Sequence, residues 1–226
     1  MPTCLITATN RGIGLELARK ALADGWTVYG SVRSQSAAQE SAETLGEGYV
    51  PLVFDVTDHD GVRRAAEDLD EVLDLLINNA GIITPDRQSP LDMDFEGFLK
   101  TLEVNTLAPL AVSQIFLPHL RRSGVAKILT ISSQMSWMGY RKPDTLAYRA
   151  SKAAVNKVMQ GLATELEPEG IPVALIDPGW VRTSMGGAAA DNCPADVAAG
   201  ILAVAATLDL ERTGRFFKWT GEERPF

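Results

Sequence analysis

The sequence predicts a three-layer, doubly wound α/β fold on a mainly parallel seven-stranded sheet. Two observations and one rule carry that expectation. Short apolar runs that read as strands alternate with helical stretches along the whole chain. The strand runs are continuously apolar rather than half polar, as strands covered on both faces are. Right-handed crossovers between parallel strands then wind helices onto both sides of the sheet.

Thr3–Thr7 is the first strand and ends in a glycine-containing turn. A helix from about Ile13 to Ala23 follows, because Ile13, Leu17, Ala18, Ala21 and Leu22 recur at helical spacing; Gly25 stops it. Trp26–Val32 and Tyr49–Phe54 are the second and third strands, and Asp60–Asp70 is a charged, alanine-bearing helix. Val72–Ile77 is the fourth strand, closed by Asn78-Asn79-Ala80-Gly81. A long helical stretch runs from about Asp94 to Leu120, with Pro109 as the place for a bend. Strand Ala126–Ile131, helix Leu146–Glu167, strand Ile171–Ile176, a helix around Ala195–Thr207 and strand Arg215–Trp219 complete the order. No repeat, low-complexity tract or linker interrupts it, so residues 1–226 are read as one domain.

Composition bounds the function. The chain has 226 residues, 46% hydrophobic and 22% charged, enough for one sizeable core. A net charge of −8 argues against a general nucleic-acid surface. No apolar run approaches a bilayer span, and the first residues lack the pattern of a secretory signal, so a cytoplasmic protein is expected. Cys4 and Cys193 lie far apart and belong to no metal-spaced cluster or disulfide framework. Cys4 reads as a small buried hydrophobe, and His59 and His119 as loop or helix-surface residues. No metal is called for.

The first turn, Thr7-Ala8-Thr9-Asn10-Arg11-Gly12-Ile13-Gly14, leads straight into a helix. Its glycines let backbone approach a pyrophosphate, and the helix start offers free N–H groups and partial positive charge. The spacing departs from Gly-x-Gly-x-x-Gly. It is nearer Thr-Gly-x-x-x-Gly-x-Gly, with Ala8 at the first glycine.

With this turn, the chain carries Asp55-Val56, Asn78-Asn79-Ala80-Gly81, Asn105, Ser133, Tyr148-x-x-x-Lys152 and Pro178-Gly179, in that order. The set resembles the short-chain dehydrogenase/reductase family in its compact form, which implies a Rossmann fold and a nicotinamide cofactor. The size and the segment Gly214-Arg215-Phe216-Phe217-Lys218-Trp219 are similar to carbonyl-reductase-like members, including the cell-signalling C-factor type. The resemblance implies cofactor contacts at Thr7, Asn10, Arg11, Gly12, Ile13, Gly14, Arg33, Asp55, Val56, Asn79, Ala80, Gly81, Tyr148, Lys152, Pro178, Gly179, Val181 and Thr183. It also implies a homodimer or homotetramer paired through the long helices.

The end of the second strand, Val28-Tyr29-Gly30-Ser31-Val32-Arg33-Ser34, lacks the carboxylate that would bind ribose hydroxyls and repel a 2′-phosphate. Arg33 and Arg11 offer guanidinium groups that bond phosphate. The family's basic residues at these positions imply NADP(H).

Tyr148 and Lys152 are i and i+4 on a helix and share a face. A nearby ammonium is expected to lower the phenol's pKa from about 10. Ser133, at the carboxyl end of the fifth strand, would hydrogen-bond the substrate oxygen as charge grows there; Ser132 and Ser136 are the competing serines. The Ser133–Tyr148 interval is slightly longer than the commonest family spacing. Asn105 would interrupt its helix and hold a water linking the lysine to solvent, as the family's asparagine does. These roles imply hydride transfer between NADPH and a carbonyl, with Tyr148 as proton donor and acceptor.

Met135, Trp137, Met138, Tyr140, Trp180 and Met185 offer an apolar mouth for a hydrophobic carbonyl or alcohol, or else packing or a subunit contact. Arg141, Lys142 and Arg149 leave room for an acidic one. The short Gly/Ala-rich stretch Thr183–Pro194 predicts a small lid. The alternative is a nucleotide-binding signalling or sensor protein on the same fold with little turnover. A sugar-nucleotide epimerase would need a larger C-terminal substrate region.

Overall fold

The computed structural model describes every residue except Pro85. The strands are β1 (Thr3–Ile6), β2 (Thr27–Val32), β3 (Tyr49–Val53), β4 (Leu75–Asn78), β5 (Gln88–Ser89), β6 (Asp92–Met93), β7 (Lys127–Ile131), β8 (Val173–Asp177), β9 (Phe216–Lys218) and β10 (Glu223–Arg224). The helices are α1 (Gly12–Ala23), α2 (Gln35–Leu45), α3 (His59–Glu67), α4 (Phe95–Leu102), α5 (Ala108–Arg121), α6 (Leu146–Leu166) and α7 (Pro194–Thr207).

Among the described residues, eight strands form the main sheet in the order β10-β9-β8-β7-β4-β1-β2-β3, all parallel except β10, which runs antiparallel to β9. The fold is therefore the doubly wound Rossmann type. The chain turns back between β1, paired with β2 on one side, and β4 on the other. Such a reversal opens a crevice at the carboxyl ends of the strands.

Strand alternation explains the continuous apolar runs. Cys4 and Ile6 pack on one face with Leu75, Ile77, Leu129, Ile131, Ala174 and Ile176, under α1 and α7. Leu5, Leu76, Ile128, Val173 and Leu175 point to the other face, under α3, α5 and α6. Successive side chains leave a strand on opposite sides, so a sheet buried on both faces needs apolar residues at every position.

Four sequence expectations need correction. The sheet has eight strands rather than seven, because Glu223-Arg224 adds an edge strand from a polar stretch; Arg215–Glu223 (2.9 Å) and Lys218–Glu222 (2.5 Å) ion pairs lie along it. Helix α2 was not expected: it is mostly polar, buries only Ala38 and Ser41, and is marked by Ser34, whose side chain accepts from Ala37 N. The stretch from Asp94 to Leu120 is not one uninterrupted α-helix: a π-helical turn at Glu103–Leu107 separates α4 from α5, and Pro109 sits just after it, in the first turn of α5. A proline lacks the N–H that would bond the carbonyl four residues before it, here Asn105. Finally, His119 is buried, with Nε2 2.8 Å from Leu69 O and its ring 5.6 Å from that of Phe116.

Candidate active site

Because the strands that carry them are parallel, the predicted site residues emerge along one edge of the sheet. Thr7 follows β1, Arg33 follows β2, Asp55 and Val56 follow β3, and Asn79-Ala80-Gly81 follow β4. Ser133 follows β7, and Pro178, Gly179, Val181 and Thr183 follow β8.

At the reversal between β1 and β4 the two loops are locked together. Thr7 Oγ1 accepts from the amides of Asn79 (2.8 Å) and Ala80 (2.9 Å), and Asn79 Nδ2 donates to Thr7 O (2.8 Å) and Ala8 O (3.3 Å). Gly14 is compelled here: a Cβ on it would lie 2.1 Å from Ala8 O and 2.5 Å from Asn79 Nδ2. Ala8 is held at φ 61°, the conformation glycine takes without cost, and Gly12 at φ 58°. A Cβ on Gly12 would meet the Thr183 methyl at 3.4 Å, so the loop after β8 closes against the first turn.

The start of α1 differs from those of α2, α3 and α4. Ser34, Asp58 and Asp94 cap those helices, whereas Arg11 gives α1 no side-chain cap and its first turn holds no acid. The first-turn amides beside Asn10, Arg11 and Ile13 thus lack a side-chain acceptor, the situation in which a helix start takes an anion. Arg11 and Arg33 are exposed. Burial works to raise the Asp55 carboxyl, but hydrogen bonds from the Thr57 amide (2.9 Å) and hydroxyl (2.8 Å), with Lys100 and Arg33 nearby, hold it below its usual value.

Helix α6 carries Tyr148 and Lys152, both buried. Lys152 Nζ donates to Ile131 O at 2.7 Å and lies 5.8 Å from the centroid of the Tyr148 ring. Burial pushes the lysine down to about 8 and the phenol up to about 12. Ser133 works against the rise at Tyr148, and Asp177 adds to it. The expectation that the ammonium lowers the phenol is therefore corrected: burial sets the direction, and the group that works downward is Ser133 rather than Lys152. Of the competing serines, Ser132 Oγ donates to Asn156 Oδ1 (2.5 Å) and Ser136 Oγ to Ser133 O (2.7 Å), which leaves Ser133 beside the phenol.

Asn105 occupies the π-helical turn, fully buried. Its side chain clasps Ile82, accepting from the amide and donating to the carbonyl, each at 2.8 Å, and donates to Ser151 Oγ at 3.0 Å. A Cβ on Gly81 would sit 3.4 Å from Asn105 Oδ1 and 3.6 Å from Lys152 Nζ, so Gly81 lines the space between them.

On the substrate side, Trp137, Met138, Tyr140, Trp180 and Met185 are exposed on the loops after β7 and β8. Arg149 does not face a mouth. It is buried, bonded through Nη2 to Asp144 Oδ1 at 2.7 Å and stacked 4.8 Å from the Tyr140 ring. The Thr183–Pro194 segment is tied back by Arg182, which donates to Ala190 O (3.1 Å) and Asp191 O (2.9 Å). Two contributors escaped the sequence reading. Gln88 accepts from the amide of Tyr148 at 3.1 Å, and Asp177 carries a buried carboxylate. An acid closing the apolar strand Val-Ala-Leu-Ile-Asp was the only available signal for the second.

A sequence model of the short chain dehydrogenase family matches residues 2–194. The chain belongs to the short-chain dehydrogenase family. It is 37% identical over 160 residues to the C-signal protein of Myxococcus xanthus, covering 68% of this chain and 93% of that protein. It is 33% identical over 199 residues to the NADPH-dependent 3-dehydrocapnine reductase of Ornithobacterium rhinotracheale, covering 84% and 69%. Among solved structures, the NADPH-bound carbonyl reductase from chicken fatty liver superposes with a TM-score of 0.92 at 29% identity, covering 100% of this chain and 99% of that one. The carbonyl reductase Sniffer of D. melanogaster gives 0.92 at 27% identity, with 100% of each chain covered. Membership in this family makes the chain an oxidoreductase acting on small molecules. Among the described residues, no helix is long and apolar enough to cross a membrane, and no cluster of metal-ligating side chains forms.

Proposed function

We propose that the protein is an NADPH-dependent carbonyl reductase, reversible as an alcohol dehydrogenase, with cofactor and substrate held by one cytoplasmic domain that works as a homo-oligomer. The observation that carries this reading is the buried Tyr148–Lys152 pair with Ser133 beside the phenol, at the open end of an uncapped phosphate-type turn. The residues present fit the dinucleotide. Gly14 leaves no room for a side chain in the turn, the start of α1 is uncapped, exposed Arg33 stands where β2 ends without a carboxylate, and exposed Arg11 stands in the first turn. Thr7, Asn10, Arg11, Gly12, Ile13 and Gly14 would hold the pyrophosphate, Arg33 the 2′-phosphate, Asp55 and Val56 the adenine. Asn79, Ala80, Gly81, Pro178, Gly179, Val181 and Thr183 would hold the nicotinamide half. Bound there, NADPH supplies the hydride.

The chain's own groups handle the proton. Tyr148, protonated throughout the neutral range, donates to the carbonyl oxygen, and Ser133 orients that oxygen. Lys152 holds the ribose hydroxyls, and Asn105 keeps the route for proton return open beside it. Trp137, Met138, Tyr140, Trp180 and Met185 favour a hydrophobic carbonyl.

The C-signal relative favours a second reading, a nucleotide-binding signalling protein with little turnover. One experiment separates the two: NADPH oxidation against a carbonyl panel by wild type and Tyr148→Phe. The reductase reading expects the variant to lose roughly 10²–10⁴-fold in rate, the usual weight of a general acid. Equal residual rates in both would sink it. Tighter binding of NADH than of NADPH would refute the cofactor assignment.

A further inference from the structure

Asp177 is the last residue of β8 and is 1% exposed. Its Oδ1 accepts two backbone amides, from Gln134 (2.9 Å) and from Gly179 (2.9 Å). The first amide belongs to the peptide that follows Ser133; the second belongs to the peptide that follows Pro178. One carboxylate oxygen therefore fixes two loops from neighbouring strands, one bearing the candidate catalytic serine and the other the candidate nicotinamide turn.

The other oxygen faces Arg224 on the edge strand β10. Arg224 Nε lies 2.7 Å from Asp177 Oδ2, with its N–H out of line for a hydrogen bond. This is an ion pair rather than an aligned bond. A carboxylate so deeply buried requires a counter-charge, and β10 delivers it. The strand is two residues long and polar, and it buries little apolar surface. Its clearest structural contribution is the placement of this guanidinium.

We propose that Asp177 and Arg224 are positioning residues, a charged joint that sets the distance between Ser133 and the Pro178-Gly179 turn. Neither touches the reacting atoms. Asp177 acts through the two peptides it holds, and Arg224 acts by pairing with the Asp177 carboxylate and holding it in place. The inference rests on the reductase reading for its effect on rate, but the joint itself is readable without turnover.

The test uses Asp177→Ala, Asp177→Asn, Arg224→Met and the double variant Arg224→Met/Asp177→Asn. An asparagine oxygen still accepts the Gln134 and Gly179 amides, but its amide nitrogen would face the Arg224 guanidinium, donor against donor, a conflict that the double variant removes. Small misplacements of a catalytic group cost rate steeply, so Asp177→Ala and Arg224→Met should each lose about tenfold or more in kcat. Asp177→Asn should lose less than Asp177→Ala, and the double variant should recover most of what Arg224→Met loses. NADPH affinity by fluorescence should change less than about threefold throughout, because most phosphate contacts lie at the other end of the crevice. Hydrogen exchange supplies the second readout. Peptides spanning Gln134 and Gly179 should lose protection together in Asp177→Ala and keep it in Asp177→Asn.

Unchanged kcat and protection in Asp177→Ala would overturn the proposal, as would a double variant no better than Arg224→Met alone. A merely structural role would lower melting temperature without rescue by the second substitution. If wild type reduces no carbonyl, the reductase reading fails, and the exchange pattern alone decides the joint.

Discussion

The chemistry at Tyr148 and Lys152 depends on burial before it depends on charge. With the phenol pushed up to about 12, Tyr148 keeps its proton across the neutral range, which suits a donor in carbonyl reduction. Lys152 is held down to about 8 by the same burial, so keeping it charged at neutral pH costs stability. The sign follows directly. Below about 8 both folded and unfolded lysine carry the proton and the cost is full. As pH rises above that value the folded state releases its proton while the unfolded state, with an ordinary lysine near 10.4, keeps it, so folding is favoured. Lys152→Met removes the group. Relative to that variant, wild type should gain about 2–3 kcal/mol of stability between pH 7 and 10, read from denaturant melts at each pH. A constant difference across that range would show that the lysine is not desolvated. Lys152→Met should also abolish turnover, so stability and activity move in opposite directions at neutral pH. At the 2′-phosphate end, Arg33→Ala should weaken NADPH roughly tenfold or more while leaving NADH little changed, measured by fluorescence titration.

At the scale of elements, the first turn is under a tension that two substitutions expose. Ala8 sits at φ 61°, where an L side chain costs roughly 1–2 kcal/mol. Ala→Gly elsewhere usually destabilises by about 0.5–1 kcal/mol, but Ala8→Gly should be neutral or stabilising by up to about 1 kcal/mol. Gly14→Ala should do the reverse. Its Cβ meets backbone at 2.1 Å, so a loss of roughly 1–3 kcal/mol and of NADPH binding is expected, checked by thermal melts and titration. The turn was legible because glycine spacing and a following helix are local signals, and the departure at Ala8 was visible as a missing glycine. Other elements were legible only in part. Apolar periodicity marks α1 and α6 but not α2, which packs on the core only through a short face of Ala38, Ser41, Ala42 and Leu45 and whose start is set by Ser34. In the sequence the visible breaker after α4 is Pro109; the π-helical turn itself lies just before it, where Asn105 clasps Ile82, a contact 23 residues away in sequence. Gln88, Asp177 and Arg224 stayed hidden for the same reason: each acts on a partner brought near only by the finished sheet.

For the whole molecule, the remaining question is what covers its apolar surface. Phe95 (72% exposed) and Leu99 (68%) are i and i+4 on α4, and Leu107 (54%) follows across the π-helical turn. Large side chains this exposed along one run of helix favour a protein contact, and in a twofold dimer the same patch faces itself. The expected pairing through the long helices would use this surface. α4 packs against α6, the helix that carries Tyr148 and Lys152, and Asn105, in the turn joining α4 to α5, bonds Ser151 on α6. In the proposed homodimer, a partner bracing α4 would therefore brace the helix of the proposed catalytic pair. Leu99→Glu should shift the protein from dimer toward monomer in light scattering at micromolar concentration, with kcat falling as the dimer dissociates. Leu91→Glu, at a 97% exposed position between β5 and β6, should change neither and serves as the control. A wild type that already scatters as a monomer would refute the pairing. Loss of kcat in Leu99→Glu without a change in mass would instead place its effect within α4 itself.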